Sequence, residues 1–313
     1  GKARRIGITG PPGAGKSTLT SNLIRLFRDR GQTVGVVAVD PTSPYTGGAL
    51  LGDRIRMNDV ATDDGVFIRS MATRGALGGL AAATREVIDV IAAFGFDVVL
   101  VETVGVGQSE LDIAAACDST VVVLVPESGD SIQTMKAGLM EAADLFVVNK
   151  ADRPGAPRLA REVETMLHFR LGESMRNVPA HHGVQLNRAK AARARLAART
   201  PNTTPNTTTK PGDSPAWAIP VLLTTAETGE GLSDLLARLD DHAAWLEASG
   251  ELARRRRARL RERVRDAVQQ GLLIRAWHDA AGEAILEESM AALEAGETTA
   301  YQVAARIVRA AGG

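Results

Sequence analysis

A chain of 313 residues, 44% hydrophobic and 24% charged, has room for one large α/β domain with appended elements or for two small domains. Lysine plus arginine equal aspartate plus glutamate at 37 each, which argues against a nucleic-acid partner. The single cysteine, Cys117, excludes a disulfide framework within the chain and disfavours a thiolate metal site. No apolar run reaches the roughly 18 residues of a membrane span, so no membrane partner is expected. No signal peptide is visible, and a cytoplasmic protein is the expectation.

In chain order, short β-branched runs alternate with helical stretches. Residues 5–9 predict a strand, 16–30 a helix stopped by Gly31, and 34–39 a second strand. A helix is expected over 80–94 and strands over 98–101, 120–125 and 145–148, then a strand over 221–224 and a helix over 232–247. The strands are apolar on both faces rather than alternating, the pattern of a parallel sheet covered on both sides by helices. Cys117 ends the apolar stretch 113–117 and reads as a buried small hydrophobe. Residues 201–215, with the near-repeat TPNTTPNTT, have nothing to bury and read as a disordered or extended surface insertion. The chain divides by this reading into a nucleotide domain over 1–250 and a helical C-terminal arm over 251–313, whose arginine run at 254–257 suits a solvated helix face or an acidic partner.

Four motifs carry chemistry. Gly10-Pro11-Pro12-Gly13-Ala14-Gly15-Lys16-Ser17 fits G-x-x-x-x-G-K-[ST] between a strand and a helix. Its backbone amides and the helix N-terminus face phosphate, with Thr18 beside them; Lys16 reaches the outer phosphates and the Ser17 hydroxyl ligates magnesium. Asn149-Lys150-Ala151-Asp152 fits N-K-x-D. The Asp152 carboxylate can accept both the N1–H and the 2-amino group of guanine, a donor pair that adenine lacks. Asn149 is expected to tie this loop to the phosphate loop, with the Lys150 stem along the base. Thr225-Ala226-Glu227 follows the next strand as the third guanine-loop element, the Ala226 N–H meeting the guanine oxygen. Glu102-Thr103-Val104-Gly105 supplies an acid for the magnesium shell and a glycine whose N–H senses the γ-phosphate. Val106 follows that glycine and Gln108 comes later, which argues against Ras-like water positioning. Asp40 and Asp53 join Ser17 and Glu102 as candidate ligands of magnesium or its waters, and Arg54, Arg56 and Arg69 are candidates for added positive charge.

Residues 40–57 (DPTSPYTGGALLGDRIRM) and 102–110 (ETVGVGQSE) resemble the first and second switches of the MeaB/ArgK-type G-protein chaperones of cobalamin-dependent acyl-CoA mutases, in the SIMIBI class of P-loop GTPases. The resemblance is close over 5–152 and looser beyond. It implies a mostly parallel, doubly wound α/β P-loop sheet with a helical C-terminal dimerisation arm. It also implies GTP/GDP and Mg²⁺ as cofactors, slow hydrolysis raised by the mutase, and gating of adenosylcobalamin delivered by a cobalamin adenosyltransferase. Protection or reactivation of the mutase, and homodimerisation through the arm, belong to the same expectation. A third switch falls at 127–136, where Asp130, Gln133 and Lys136 match polar partner-coupling positions and Lys136 is a candidate catalytic assistant alongside Lys16, Glu102 and Gly105. Three features depart from the family: the helical segment before the first strand is missing, suggesting a trimmed chain; the 201–215 insertion is unfamiliar; and the charge spacing of the third switch suits a subgroup serving another acyl-CoA mutase. Two other readings compete. A metal-insertion GTPase would need a histidine or cysteine cluster, for which only His181-His182 is at hand; a transport-associated nucleotidase reading adenine is opposed by the N-K-x-D motif.

Overall fold

The computed structural model describes residues 2–40, 60, 62–72, 82–103, 109–128, 142–170, 216–279 and 281–312. They form two compact units, Gly1–Glu251 and Leu252–Gly313. The first is built on a seven-stranded sheet: β1 Arg4–Thr9, β2 Val34–Asp40, β3 Val66–Ala72, β4 Val98–Thr103, β5 Ser119–Leu124, β6 Leu145–Val148 and β7 Val221–Leu223. The order across the sheet is β3-β2-β4-β1-β5-β6-β7, and every strand pair is parallel. Its helices are α1 Lys16–Asp29, α2 Ala82–Phe94, α3 Ser109–Ala116, α4 Ala156–Arg170 and α5 Leu232–Ala248.

Successive strand residues point to opposite faces, and both faces are covered. Val98 and Leu100 of β4 pack with Leu19, Leu23 and Phe27 of α1 and with Leu235 and Leu239 of α5. Their neighbours Val99 and Val101 pack with Ile88 and Ile91 of α2 and with Ile113 and Cys117 at the end of α3. Cys117 forms no disulfide and is 1% exposed. A third cluster joins Val122, Phe146 and Val148 to Leu159 and Val163 of α4. Strand order reverses at β1, between β4 and β5, so the loop after β1 opens at a topological switch point, where open α/β sheets bind ligands.

A polar pin fastens α5 beneath the sheet. His242, 0% exposed, places Nδ1 2.9 Å from Ser119 Oγ and Nε2 3.4 Å from Asp144 Oδ1. Asp144 Oδ2 accepts from the Thr120 amide at 2.9 Å, and the Asp144 carbonyl accepts from Trp217 Nε1 at 2.8 Å. Trp217 and Trp245 enclose the imidazole.

The second unit contains α6 Glu251–Ile274, which passes into a π-helical turn at Arg275–Asp279, then α7 Gly282–Glu294 and α8 Ala300–Gly312. Val303, Ile307 and Ala311 are the buried face of α8; α6 buries no residue. No helix among the described residues is long and apolar enough to cross a membrane. The insertion at 201–215, the third-switch residues Asp130, Gln133 and Lys136, the histidines 181–182, Arg54, Arg56, Gln108, Asp53 and Gly105 lie outside the described residues.

Candidate functional site

The loop from Gly10 to Gly15 leaves the buried end of β1 and enters α1. Its shape depends on two glycines. Gly10 has φ 138°, and a Cβ there would stand 2.0 Å from the Val123 carbonyl oxygen of β5. Gly15, at φ 82°, is the N-cap of α1, and a Cβ would meet Asn149 Nδ2 at 2.4 Å. An L side chain is strained at both angles and has no space. No side chain caps α1 and no acid stands in its first turn, so its amide dipoles face an incoming anion without a competing carboxylate. Lys16 is buried, and its Nζ donates to the carbonyls of Gly10 and Pro11, both at 2.9 Å. The ammonium is thereby held over the loop that encloses phosphate in P-loop proteins. Thr18 is exposed on the first turn of α1, with Pro12 and Gly13 exposed on the loop.

Ser17 faces β4. Its Oγ donates to Glu102 Oε1 at 2.6 Å, and Glu102 is only 2% exposed. Below them Thr103 Oγ1 donates to Thr9 Oγ1 at 3.0 Å, closing β4 on β1 beneath the loop. A hydroxyl and a carboxylate in contact are hard oxygen donors, the set that suits Mg²⁺, which takes one or two carboxylates and keeps waters and phosphate oxygens for the rest. The pair therefore fits the metal the motif implies. Asp40 closes β2. Among the described residues no group of three or more His, Cys, Asp and Glu could hold a metal ion by itself.

Asn149 joins the remaining motifs. It is 2% exposed and uses both ends of its amide. Nδ2 donates to the Ala14 carbonyl at 2.8 Å; Oδ1 accepts from Thr224 Oγ1 at 3.1 Å and from the Ala226 amide at 3.0 Å. The structure thus gives the Ala226 N–H to Asn149 rather than reserving it for a base. The neighbouring loops are laced by Ala151 N to the Thr224 carbonyl at 3.0 Å and Thr225 N to the Glu230 carbonyl at 3.0 Å. Lys150 sits at φ 56°, the left-handed conformation, and Asp152 and Glu227 are exposed at the two loop tips. Arg153, next to Asp152, donates to Glu127 just past β5 and holds the Glu127 carboxyl below its ordinary range. Arg69 lies exposed on β3.

This places Lys16, Ser17 and Glu102 together at one end of the sheet, and Asn149, Thr225 and Ala226 beside them. Thr9, Thr103 and Thr224 brace the loops, a role the motif reading did not give them. Thr224 opens the third guanine-loop element, and Thr9 and Thr103 meet only through strand pairing.

The sequence profile described as "Methylmalonyl Co-A mutase-associated GTPase MeaB" matches residues 1–281. The chain belongs to the MeaB family of GTPases. Within it, a Pyrococcus horikoshii relative is 47% identical over 268 residues, covering 86% of this chain and 73% of its own. The Escherichia coli GTPase ArgK is 49% identical over 152 residues, 49% of this chain and 46% of ArgK. A solved structure of a LAO/AO transport system kinase superposes with a TM-score of 0.62 at 26% identity, covering 99% of this chain and 82% of that one. Membership of the MeaB family makes the chain a GTP-hydrolysing, guanine-nucleotide-binding protein with the P-loop architecture described above.

Proposed function

We propose that the chain is a magnesium-dependent GTP switch in the cytoplasm that serves an adenosylcobalamin-dependent acyl-CoA mutase, gating cofactor loading from an adenosyltransferase and protecting or reactivating the mutase. The observation that carries this reading is the 2.6 Å contact between Ser17 and Glu102 at the mouth of the phosphate loop, in a chain whose family is mutase-associated by description. Phosphoryl transfer asks mainly for positioning and charge neutralisation. Lys16 supplies a fixed cation, the α1 N-terminus and loop amides would receive the phosphates, and Ser17 and Glu102 would hold Mg²⁺, with Asp40 and Asp53 as further candidates. Magnesium, when bound, neutralises charge on the phosphate oxygens. Asp152 reads guanine from one side, and the 225–227 loop encloses it from the other. The switch segments at 40–57 and 102–108 respond to the γ-phosphate, Gly105 through its N–H, and the segment at 127–136, with Asp130, Gln133 and Lys136, reports to the mutase.

Homodimerisation through the second unit belongs to the same proposal. Leu260, Val264 and Val268 recur on α6 and are 65%, 64% and 54% exposed. An apolar stripe of that length on a helix that buries nothing suits a helix partner better than water.

The test is GTP turnover by the purified chain, alone and with candidate acyl-CoA mutases. A slow basal rate raised by one mutase supports the reading and identifies the partner. A fast rate indifferent to every mutase would leave a GTPase and remove the chaperone role.

A further inference from the structure

Helix α1 enters the site twice. Its N-terminus faces the phosphate loop, and one and a half turns later Asn22 Nδ2 donates to the Ala226 carbonyl at 2.6 Å. Ala226 is buried, and its own amide donates to Asn149 Oδ1, while Asn149 Nδ2 holds the Ala14 carbonyl. These bonds close a ring. Starting in the phosphate loop at Ala14, it passes through Asn149 to Ala226, through Asn22 into α1, and back along the helix to the loop. Asn22 is the member that no motif contains. Its bond holds the Ala226–Glu227 peptide through the carbonyl, as the Asn149 bond holds the Thr225–Ala226 peptide through the amide.

We propose that Asn22 is a positioning residue for guanine selectivity, fixing the Ala226–Glu227 peptide plane so that the 225–227 loop is preorganised against the base. The inference rests on the reading of Asp152 and the 225–227 loop as the guanine pocket. The Thr225–Ala226 peptide is held through its N–H and the Ala226–Glu227 peptide through its C=O, so the backbone on either side of the Ala226 Cα cannot turn without breaking a bond, and selectivity built on preorganised polar groups is lost when those groups can turn away. The phosphate cradle is made by other atoms, and Asn22 reaches it only through Ala226 and Asn149, so its main effect falls on the base loop. Its Oδ1 is oriented by Arg25 Nη1 at 3.2 Å, which keeps the amide group turned with Nδ2 toward Ala226.

The experiment compares Asn22→Ala, Asn22→Gln and Asn22→Asp with the parent chain. Dissociation of fluorescent GDP, competition by GTP, ATP and inorganic pyrophosphate, and melting temperature are measured for each. Loss of one such hydrogen bond predicts about three- to tenfold faster GDP release in Asn22→Ala, with a matching loss of GTP-over-ATP preference and unchanged pyrophosphate competition. Asn22→Gln keeps a donor and recovers part of the difference. Asn22→Asp sets a carboxylate against the Ala226 carbonyl and is worse than alanine. GDP release within twofold of the parent in Asn22→Ala, or an equal weakening of GDP and pyrophosphate, overturns the proposal. An Asp152→Asn variant separates the two readings. If it moves preference from guanine to xanthine nucleotides while Asn22→Ala changes nothing, the pocket stands and the Asn22 role falls; if it moves no preference, the pocket reading itself falls.

Discussion

Asp152 and Gly15 represent two ways in which a single residue governs this site. Asp152 acts by its donor and acceptor pattern. Xanthine carries a carbonyl where guanine has its 2-amino group, so Asp152→Asn, which exchanges one acceptor for a donor, is expected to weaken GTP by about a hundredfold and to favour XTP. Competition binding with the two nucleotides measures this directly; equal GTP affinity in the variant would remove Asp152 from the base. Gly15 acts by lacking a side chain. A methyl group at 2.4 Å from Asn149 Nδ2, on a residue at φ 82°, must displace Asn149 from the Ala14 carbonyl. Gly15→Ala is therefore expected to reduce GDP affinity by about five- to 150-fold, from a strain of roughly 1–3 kcal/mol. Calorimetric titration with GDP tests it, and near-normal affinity would show that the loop relaxes at little cost.

At the scale of elements, α5 is held to the sheet by apolar packing with one ionic clasp at the edge. Leu239 is fully buried among α1 and sheet residues, and Leu239→Ala is expected to cost about 2–5 kcal/mol, read as a lower denaturation midpoint. One residue later, Asp240 accepts from Arg4 Nη1 and Arg30 Nη1, each at 2.7 Å. Burial works to raise the Asp240 carboxyl, but the bonds from Arg30 and Arg4 outweigh it, and the group titrates below its ordinary 3.8. The folded carboxyl is the stronger acid, so its contribution is complete above the unfolded value and disappears as pH falls through the folded one. Asp240→Asn is expected to lower the melting temperature by about 1–3 °C at neutral pH and to leave it unchanged in strong acid, because an exposed clasp is weakened by solvent. A loss of equal size at both pH values would show that packing, and not charge, holds this edge.

On the scale of the whole molecule, the proposed dimer contact lies in the second unit and the nucleotide site in the first. Residues 254–265 carry eight arginines and a single glutamate in a chain of zero net charge, and Leu260 and Val264 lie among them. Replacing both with glutamate is expected to convert a dimer to monomer, seen by light scattering, while basal GTP hydrolysis continues in the first unit. An unchanged mass would place the dimer contact elsewhere or show that there is none.

Much of the nucleotide domain was legible in sequence because interior parallel strands are apolar on both faces, so β1, β2, β4, β5 and β6 stand out as runs. Strand β3 escaped for the opposite reason. It lies at the sheet edge, where Phe67 and Arg69 are exposed and only partial cover is needed, so VFIRSMA has no uninterrupted apolar run. Helix α3 was hidden because its first residues belong to the ETVGVGQSE motif, which reads as a loop. The phosphate loop and N-K-x-D were legible because close backbone approach and base selection each allow few residue types at fixed spacing. Sequence by itself therefore determined the nucleotide-binding class and the parallel architecture, which follow from local spacing and periodicity, while the family rested on the resemblance of residues 40–57 and 102–110 to known switches. Only the tertiary structure decided that Ser17 meets Glu102 across 85 positions, that Asn149 clamps Ala14 and Ala226, and that Asn22 closes the ring. Those contacts depend on which strands are neighbours and how helices lie across them, and a one-dimensional pattern does not carry distances between its distant parts.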